Sequence, residues 1–153
     1  MAQFLRPTSD IFNNGWTYST GSTAYVLLDE ATASDSDYVA GTTTNKSLTM
    51  GLSGTSQPYA SGDGTLRVRA KRTTTSPTLS IQLFDSSGDA VGDSLSITAG
   101  SSFATSTFTI SATNLPNVAR IRLYGKNVQV SWVELETPDV APITSGLEMG
   151  MMF

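Results

Sequence analysis

Apolar and polar residues alternate with period two along most of this chain, and no segment shows the 3.6-residue period of a helix. The clearest stretch is Leu66-Arg-Val-Arg-Ala-Lys71. Leu66, Val68 and Ala70 point to one side, while Arg67, Arg69 and Lys71 point to the other, as in a strand with one face on a core. The same alternation predicts strands over Ser47 to Leu52 (Leu48, Met50 and Leu52 inward), Thr65 to Arg72, and Thr78 to Phe84 (Leu79, Ile81 and Leu83 inward). Further strands are marked by Leu95 and Ile97, by Phe108 and Ile110, and by Ala119, Ile121 and Leu123 between Asn117 and Gly125. Val128, Val130 and Trp132 share one parity, and Val133 and Leu135 take the other. That switch predicts a bulge near Trp132 or a strand buried on both faces.

Earlier segments are shorter. Asn13-Asn-Gly15 signals a turn, Trp16 and Tyr18 start a first strand, Thr23 to Leu28 leads to the acidic pair Asp29-Glu30, and Tyr38-Val-Ala40 is a short strand. Asp85-Ser-Ser-Gly-Asp89 reads as a hairpin turn, because Asp and Gly supply its geometry. Residues 53–64, rich in Gly, Ser and Pro, read as a loop. The expected fold is all-β: a single antiparallel β-sandwich of eight or nine strands, jelly-roll-like, with extended N- and C-terminal arms. The expected division is an arm over residues 1–14, the sandwich over 15–137 and a second arm over 138–153, where Pro138 and Pro142 break regularity.

At 153 residues the chain suits one domain with its own core. Charged residues make up 14%, well below the roughly 25% of an average domain. Ser and Thr take their place on turns and pleated surfaces. The net charge of −4 argues against a general nucleic-acid binder. The chain has no cysteine and no histidine, which removes disulfides, thiolate catalysis, zinc–sulfur sites and the commonest general base. No stretch approaches the roughly 20 apolar residues of a membrane-spanning helix. Met1-Ala-Gln-Phe-Leu-Arg6 lacks the charged start and long apolar run of a secretory signal, so synthesis in the cytoplasm without such export is expected.

Candidate chemistry is sparse. Glu134 and Glu136 lie two apart on one strand face, a pair of the kind glycosidases use; the plainer reading is an acidic strand face opposite Arg120 and Arg122. Asp29, Glu30, Asp35 and Asp37 form an alternative calcium site by ligand type, but their spacing matches no EF-hand loop. Asp85, Asp89 and Asp93 read as turn residues. Arg67, Arg69, Lys71, Arg120 and Arg122 form an electrostatic face. Trp16, Tyr18 and Tyr59 are the candidate sugar-stacking aromatics of the alternative reading, the plainer one placing them in the core or a subunit interface, and Trp132 is read as core. Phosphate loops, nucleophile elbows and metalloprotease motifs are lacking. The expectation is therefore a non-enzyme with no cofactor.

Three segments, taken in order, carry a resemblance. They are Leu5-Arg-Pro-Thr-Ser-Asp10 leading to Gly15-Trp-Thr17, then Leu28-Asp-Glu30 with Asp35-Ser-Asp-Tyr-Val39, then Val130-Ser-Trp-Val-Glu-Leu-Glu136 before Pro138. This order resembles small structural proteins of tailed bacteriophages, the capsid decoration (cement) proteins and the modules of tails and fibres. The resemblance implies a jelly-roll-like fold and a place in the virion. Its first implication is a decoration protein on the outer capsid surface, a homotrimer that binds the major capsid protein and stabilises the head, with neither nucleic acid nor membrane as partner. Its alternative is a tail- or fibre-associated module that binds host glycans. The two arms would supply partner contacts: Phe4, Leu5 and Arg6 at one end, Ile143, Leu147, Met149, Met151, Met152 and Phe153 at the other. An apolar end of that kind needs a surface to cover it.

Overall fold

Period-two alternation lets a strand bury one face and keep the other wet, and two such sheets closing face to face make a sandwich. In a computed structural model of the protein, which describes residues 1–142, eleven strands do this. They are β1 (Ala2–Leu5), β2 (Pro7–Asn13), β3 (Thr17–Tyr18), β4 (Val39–Ala40), β5 (Lys46–Leu52), β6 (Gly64–Arg72), β7 (Thr78–Phe84), β8 (Ala90–Ser96), β9 (Ala104–Ile110), β10 (Arg120–Lys126) and β11 (Val128–Asp139). Sheet A runs β3-β4-β11-β6-β9, with β1 pairing further along β11; sheet B runs β2-β5-β10-β7-β8. Every pairing is antiparallel. The fold is the expected jelly-roll sandwich.

The core lies between the sheets. Sheet A contributes Leu66, Val68 and Ala70 from β6 with Val128, Val130, Val133 and Leu135 from β11. Sheet B contributes Leu48 and Met50 from β5, Leu79, Ile81 and Leu83 from β7, and Ile121 and Leu123 from β10. Burying each large aliphatic side chain is worth about 1.5–3 kcal/mol, so these facing rows provide the main drive for closure. The parity switch in β11 is a bulge: the register against β6 shifts between Val130, opposite Ala70, and Trp132, opposite Arg69. Asp85 makes the expected hairpin by accepting hydrogen bonds from the backbone N–H of Ser87 and Asp89, each at 2.9 Å. Gly88 supplies the positive φ of 92° that the turn requires.

The ends differ from expectation. Residues 1–14 are not an arm: β1 joins sheet A beside β11, β2 joins sheet B beside β5, and Arg6 is the corner between them. Two register shifts in β2, one between Pro7 and Ser9 and one between Asp10 and Phe12, erase the alternation by which a strand is recognised. Pro7 is tolerated because β2 is an edge strand, where a missing ladder N–H costs least. At the other end β11 continues through Pro138 to Asp139, two residues beyond the expected limit of 137. The segment ending at Leu28 contains a short 3₁₀ turn, Tyr25–Leu27. The Asp10 carboxylate holds its start by accepting the N–H of Ala24 at 2.7 Å and of Tyr25 at 2.9 Å. Ile143, Leu147, Met149, Met151, Met152 and Phe153, expected as partner contacts, lie outside the described residues.

Truncating a central core residue tests this arrangement. Leu123→Ala, at a fully buried position of β10, is expected to lower unfolding free energy by about 2–5 kcal/mol in urea titrations. Thr107→Ala, on the outer face of β9, is expected to change it by no more than about 0.5 kcal/mol. Equal effects would mean that the two faces are assigned the wrong way round.

Candidate functional site

The two outer faces of the sandwich carry the cationic rows expected from the alternation, and they differ in one respect: which guanidiniums meet carboxylates. On sheet A, Arg67 bridges both acids of β11, with Nη1 3.4 Å from Glu134 Oε1 and Nη2 2.6 Å from Glu136 Oε2. Arg6 reaches the same Glu134 from the corner, Nη2 to Oε2 at 2.6 Å. Arg69 holds Asp35 in a two-bond fork, Nε to Oδ1 and Nη2 to Oδ2, both 2.7 Å. The Ser131 hydroxyl, buried at the bulge, adds a bond to Asp35 Oδ1 at 3.0 Å. This fork and the neighbouring charge hold the Asp35 carboxyl below the usual carboxylate range. Lys71 lies 4.9 Å from the Phe103 ring centroid. Sheet A's charges are thus largely spent on one another.

Several sequence expectations change here. Glu134 and Glu136 share a face as foreseen, but they face Arg67 and Arg6, not Arg120 and Arg122, because β11 and β10 belong to different sheets. Glu134 is only 4% exposed and both acids are ion-paired to Arg67, so the pair is no open acidic face and offers no free carboxyl. Leu5 is buried and packs in the core, which removes it as a partner contact; Phe4 is exposed, and its ring lies 5.3 Å below the Arg6 guanidinium. Trp132 is not core. It stands opposite Arg69 on the outer side of sheet A, half-buried, with Nε1 donating to the Glu30 carbonyl at 2.8 Å.

The aromatic candidates fare unevenly. Trp16 is 3% exposed and its Nε1 donates to the Lys46 carbonyl at 2.8 Å, so it closes the core and offers no platform. Tyr18 is half-buried, and its hydroxyl accepts from Asn13 Nδ2 at 2.6 Å. Tyr59 is half-buried beside Pro58 in a loop pocket of about 590 Å³ closed by Leu5, Leu115 and Pro116; burial raises its hydroxyl pKa. No ionised side chain lines that pocket among the described residues.

The four acids of the calcium alternative are not gathered into a cage. Asp35 is committed to Arg69, and among the described residues no three Asp or Glu side chains converge on one point. Glu30, with Oε2 out of water and unpartnered, is pushed from 4.5 up to about 7, first by burial, then by the nearby Asp37 and Asp29 charges.

Sheet B's outer face is built differently. Along β10, Arg120, Arg122 and Tyr124 point outward at alternate positions. Thr49 of β5 separates Arg122 from Phe12 of β2 in one cross-sheet row, and Phe84 of β7 stands beside Arg120 in the next. The Arg122 guanidinium lies 5.1 Å from the Phe84 ring centroid. Arg120 Nη2 is tethered to the Ser86 carbonyl of the hairpin at 2.8 Å. Neither arginine has a carboxylate partner among the described residues, and the Arg122 Nε is buried with no hydrogen-bond acceptor. Phe12 at 54% and Tyr124 at 42% are unusually exposed for their size, as is Ile11. Ile11, Phe12, Thr49, Phe84, Arg120 and Arg122 surround an open groove of about 280 Å³.

The sequence pointed to Arg120 and Arg122 but missed Ile11, Phe12 and Phe84. Phe84 was within reach, since parity sets it on the outward side with Ser80 and Gln82. The β2 pair was hidden by the bulge that puts Phe12 opposite Thr49.

No protein family's sequence pattern matches the chain, and no curated protein matches it. Solved structures do. The chain is similar to the C-terminal CBM6 of a marine laminarinase from Zobellia galactanivorans, with a TM-score of 0.54 and 14% identity over 90% of this chain and 100% of that one. It is similar also to a carbohydrate binding module (CBM6cm-2) of Cellvibrio mixtus lichenase 5A, solved with cellotriose, with a TM-score of 0.52 and 12% identity over 88% and 96% of the two chains. A tailspike domain of bacteriophage CBA120 matches at 19% identity over 86% of this chain and 19% of that one, but its TM-score of 0.44 carries no weight. At such identities the likeness establishes the shared two-sheet fold.

Two outcomes follow from these electrostatics. Arg67→Ala removes two charge-assisted bonds and leaves buried Glu134 with Arg6 alone; a loss of about 1–3 kcal/mol is expected in denaturant unfolding. An unchanged midpoint would show that the cluster is not coupled to folding. Glu30, with its pKa raised in the folded state, binds its proton more tightly there than in the unfolded chain. Its share of stability is therefore full below about 4.5 and lost as pH rises to about 7. Melting curves are expected to show that loss in the wild type relative to Glu30→Gln, and parallel pH profiles would contradict it.

Proposed function

We propose that this domain is a non-catalytic glycan-binding module that holds a sugar chain across the outer face of sheet B, working as part of a tailed-phage virion. The carrying observation is the coincidence, on one open groove, of the exposed Phe12 ring, the half-buried Phe84 ring and two guanidiniums that have no carboxylate partner among the described residues. Sugars present apolar faces that stack on rings and a rim of hydroxyls that accept from planar donors, so this combination suits them. From Arg120 to Tyr124 the row extends about 13 Å along β10, and Phe12 stands two strand spacings, about 10 Å, from Arg122. That is an area for more than one sugar ring. The carbohydrate-binding modules that share the fold support the reading, and the virion setting is supported by the order of the sequence segments.

The capsid-decoration reading stands second. It is supported by that same segment order and by the exposed ring of Phe4 on the opposite side of the sandwich. Counting copies in purified particles against the major capsid protein separates the two.

A glycan array followed by titration tests the first reading. The intact chain is expected to bind glycans without releasing hydrolysis products. Phe12→Ala and Tyr124→Ala are each expected to weaken binding about five- to tenfold while leaving the melting temperature within a few degrees. Binding that survives both changes and is lost with Tyr59→Ala would move the site to the loop pocket.

A further inference from the structure

Arg120 and Arg122 ask for more than hydroxyl groups. We infer that the sheet B groove selects acidic glycans, with the carboxylate of a uronic-acid residue received by the Arg122 and Arg120 guanidiniums while the sugar ring stacks beside Phe12. The inference rests on the glycan-binding reading and names its ligand class.

Four observations carry it. First, the chain is acidic overall, with a net charge of −4, and on sheet A Arg6, Arg67 and Arg69 are paired to carboxylates, which leaves only the exposed strand-end Arg72 without one there among the described residues. Arg120 and Arg122 depart from that pairing among the described residues. Second, the acid nearest in sequence to the tether, Asp85, is turned into its own hairpin, where it accepts the N–H of Ser87 and Asp89. It is therefore not aimed at the groove. Third, the Arg122 side chain lines the open groove, and its Nε, out of water, meets no acceptor inside the protein, so no internal group competes for this guanidinium. Fourth, both guanidiniums are held in place, Arg122 against Phe84 and Arg120 on the Ser86 carbonyl, so little side-chain freedom remains to be lost on binding. A planar fork matches a carboxylate in two parallel bonds, which lysine cannot copy. The two Cα positions are about 6.6–6.8 Å apart along β10, close enough for both side chains to serve one anionic group.

The test compares four probes by affinity electrophoresis and calorimetry with the full chain: polygalacturonate, the same polymer with its carboxyls reduced to alcohols, a sulfated neutral glucan, and polyglutamate. Polygalacturonate is expected to bind at least about tenfold more tightly than each of the others, and less tightly as salt rises. Arg122→Gln is expected to abolish the preference for the uronate over its reduced form, and Arg122→Lys to recover little of it. Arg72→Gln, an exposed arginine at the end of β6 in sheet A, is expected to leave binding unchanged. Equal binding of the uronate and its reduced form would overturn the acidic selection while keeping the glycan reading. Tighter binding of the sulfated glucan would overturn the carboxylate. Equal binding of polyglutamate would reduce the site to a polyanion patch. Binding of none of the four, with no neutral glycan bound on the array, would remove the glycan reading itself.

Discussion

The bulge between Val130 and Trp132 is the constraint on which the arrangement of charge depends. Before it, Val128 and Val130 enter the core at even positions; after it, Val133 and Leu135 enter at odd ones. Were Ser131 an ordinary alternating residue instead of a bulge, the period-two strand would carry Glu134 and Glu136 into the sandwich and push Val133 and Leu135 into water. With the bulge, both acids arrive on the outer face beside Arg67, and the residue left over, Ser131, turns its hydroxyl to Asp35 and so steadies the fork on Arg69. One bulged residue thus decides both what the core contains and which arginines are neutralised.

The two faces of the sandwich are then unlike. Sheet A is closed electrostatically: its carboxylates come from β11 and from the loop ahead of β4, and they absorb Arg6, Arg67 and Arg69. The outward positions next to β10 offer no such acids, because the strands that flank it, β5 and β7, present Ser47, Thr49, Ser80, Gln82 and Phe84 there. Arg120 and Arg122 consequently lie among hydroxyls and rings. Carbohydrate-binding modules share this fold, but the fold alone decides no ligand. The chemistry of sheet B's outer face, which belongs to this chain, is what points to one.

Where a strand kept strict alternation, it was legible from residue types alone. Thr78 to Phe84 was read to the residue, Gly64–Arg72 to within one, and the β11 bulge was signalled by its own parity break. Where the ladder was irregular, the signal failed: two register shifts in β2 turned an edge strand into an apparent arm. Side-chain partners were less legible than strands, because pairing across a sheet depends on topology. Nothing local to Glu134 says that β6, and not β10, lies beside it. Trp16 and Trp132 show the same limit in opposite senses. Trp16, weighed as a sugar platform against the plainer core reading, is buried, while Trp132, expected in the core, stands outside with its Nε1 on the Glu30 carbonyl.

The central claim is that ligand recognition lies on the outer face of sheet B while sheet A is closed on itself. Mapping amide chemical-shift changes during titration with an oligouronate tests it most directly. The account predicts that the shifts concentrate on β2, β5, β10 and the hairpin between β7 and β8, with the Arg122 Nε–H resonance moving strongly and the resonances of β6 and β9 still. Shifts concentrated on the Pro58–Tyr59 loop, or on the Arg67 and Glu134 face, would contradict it.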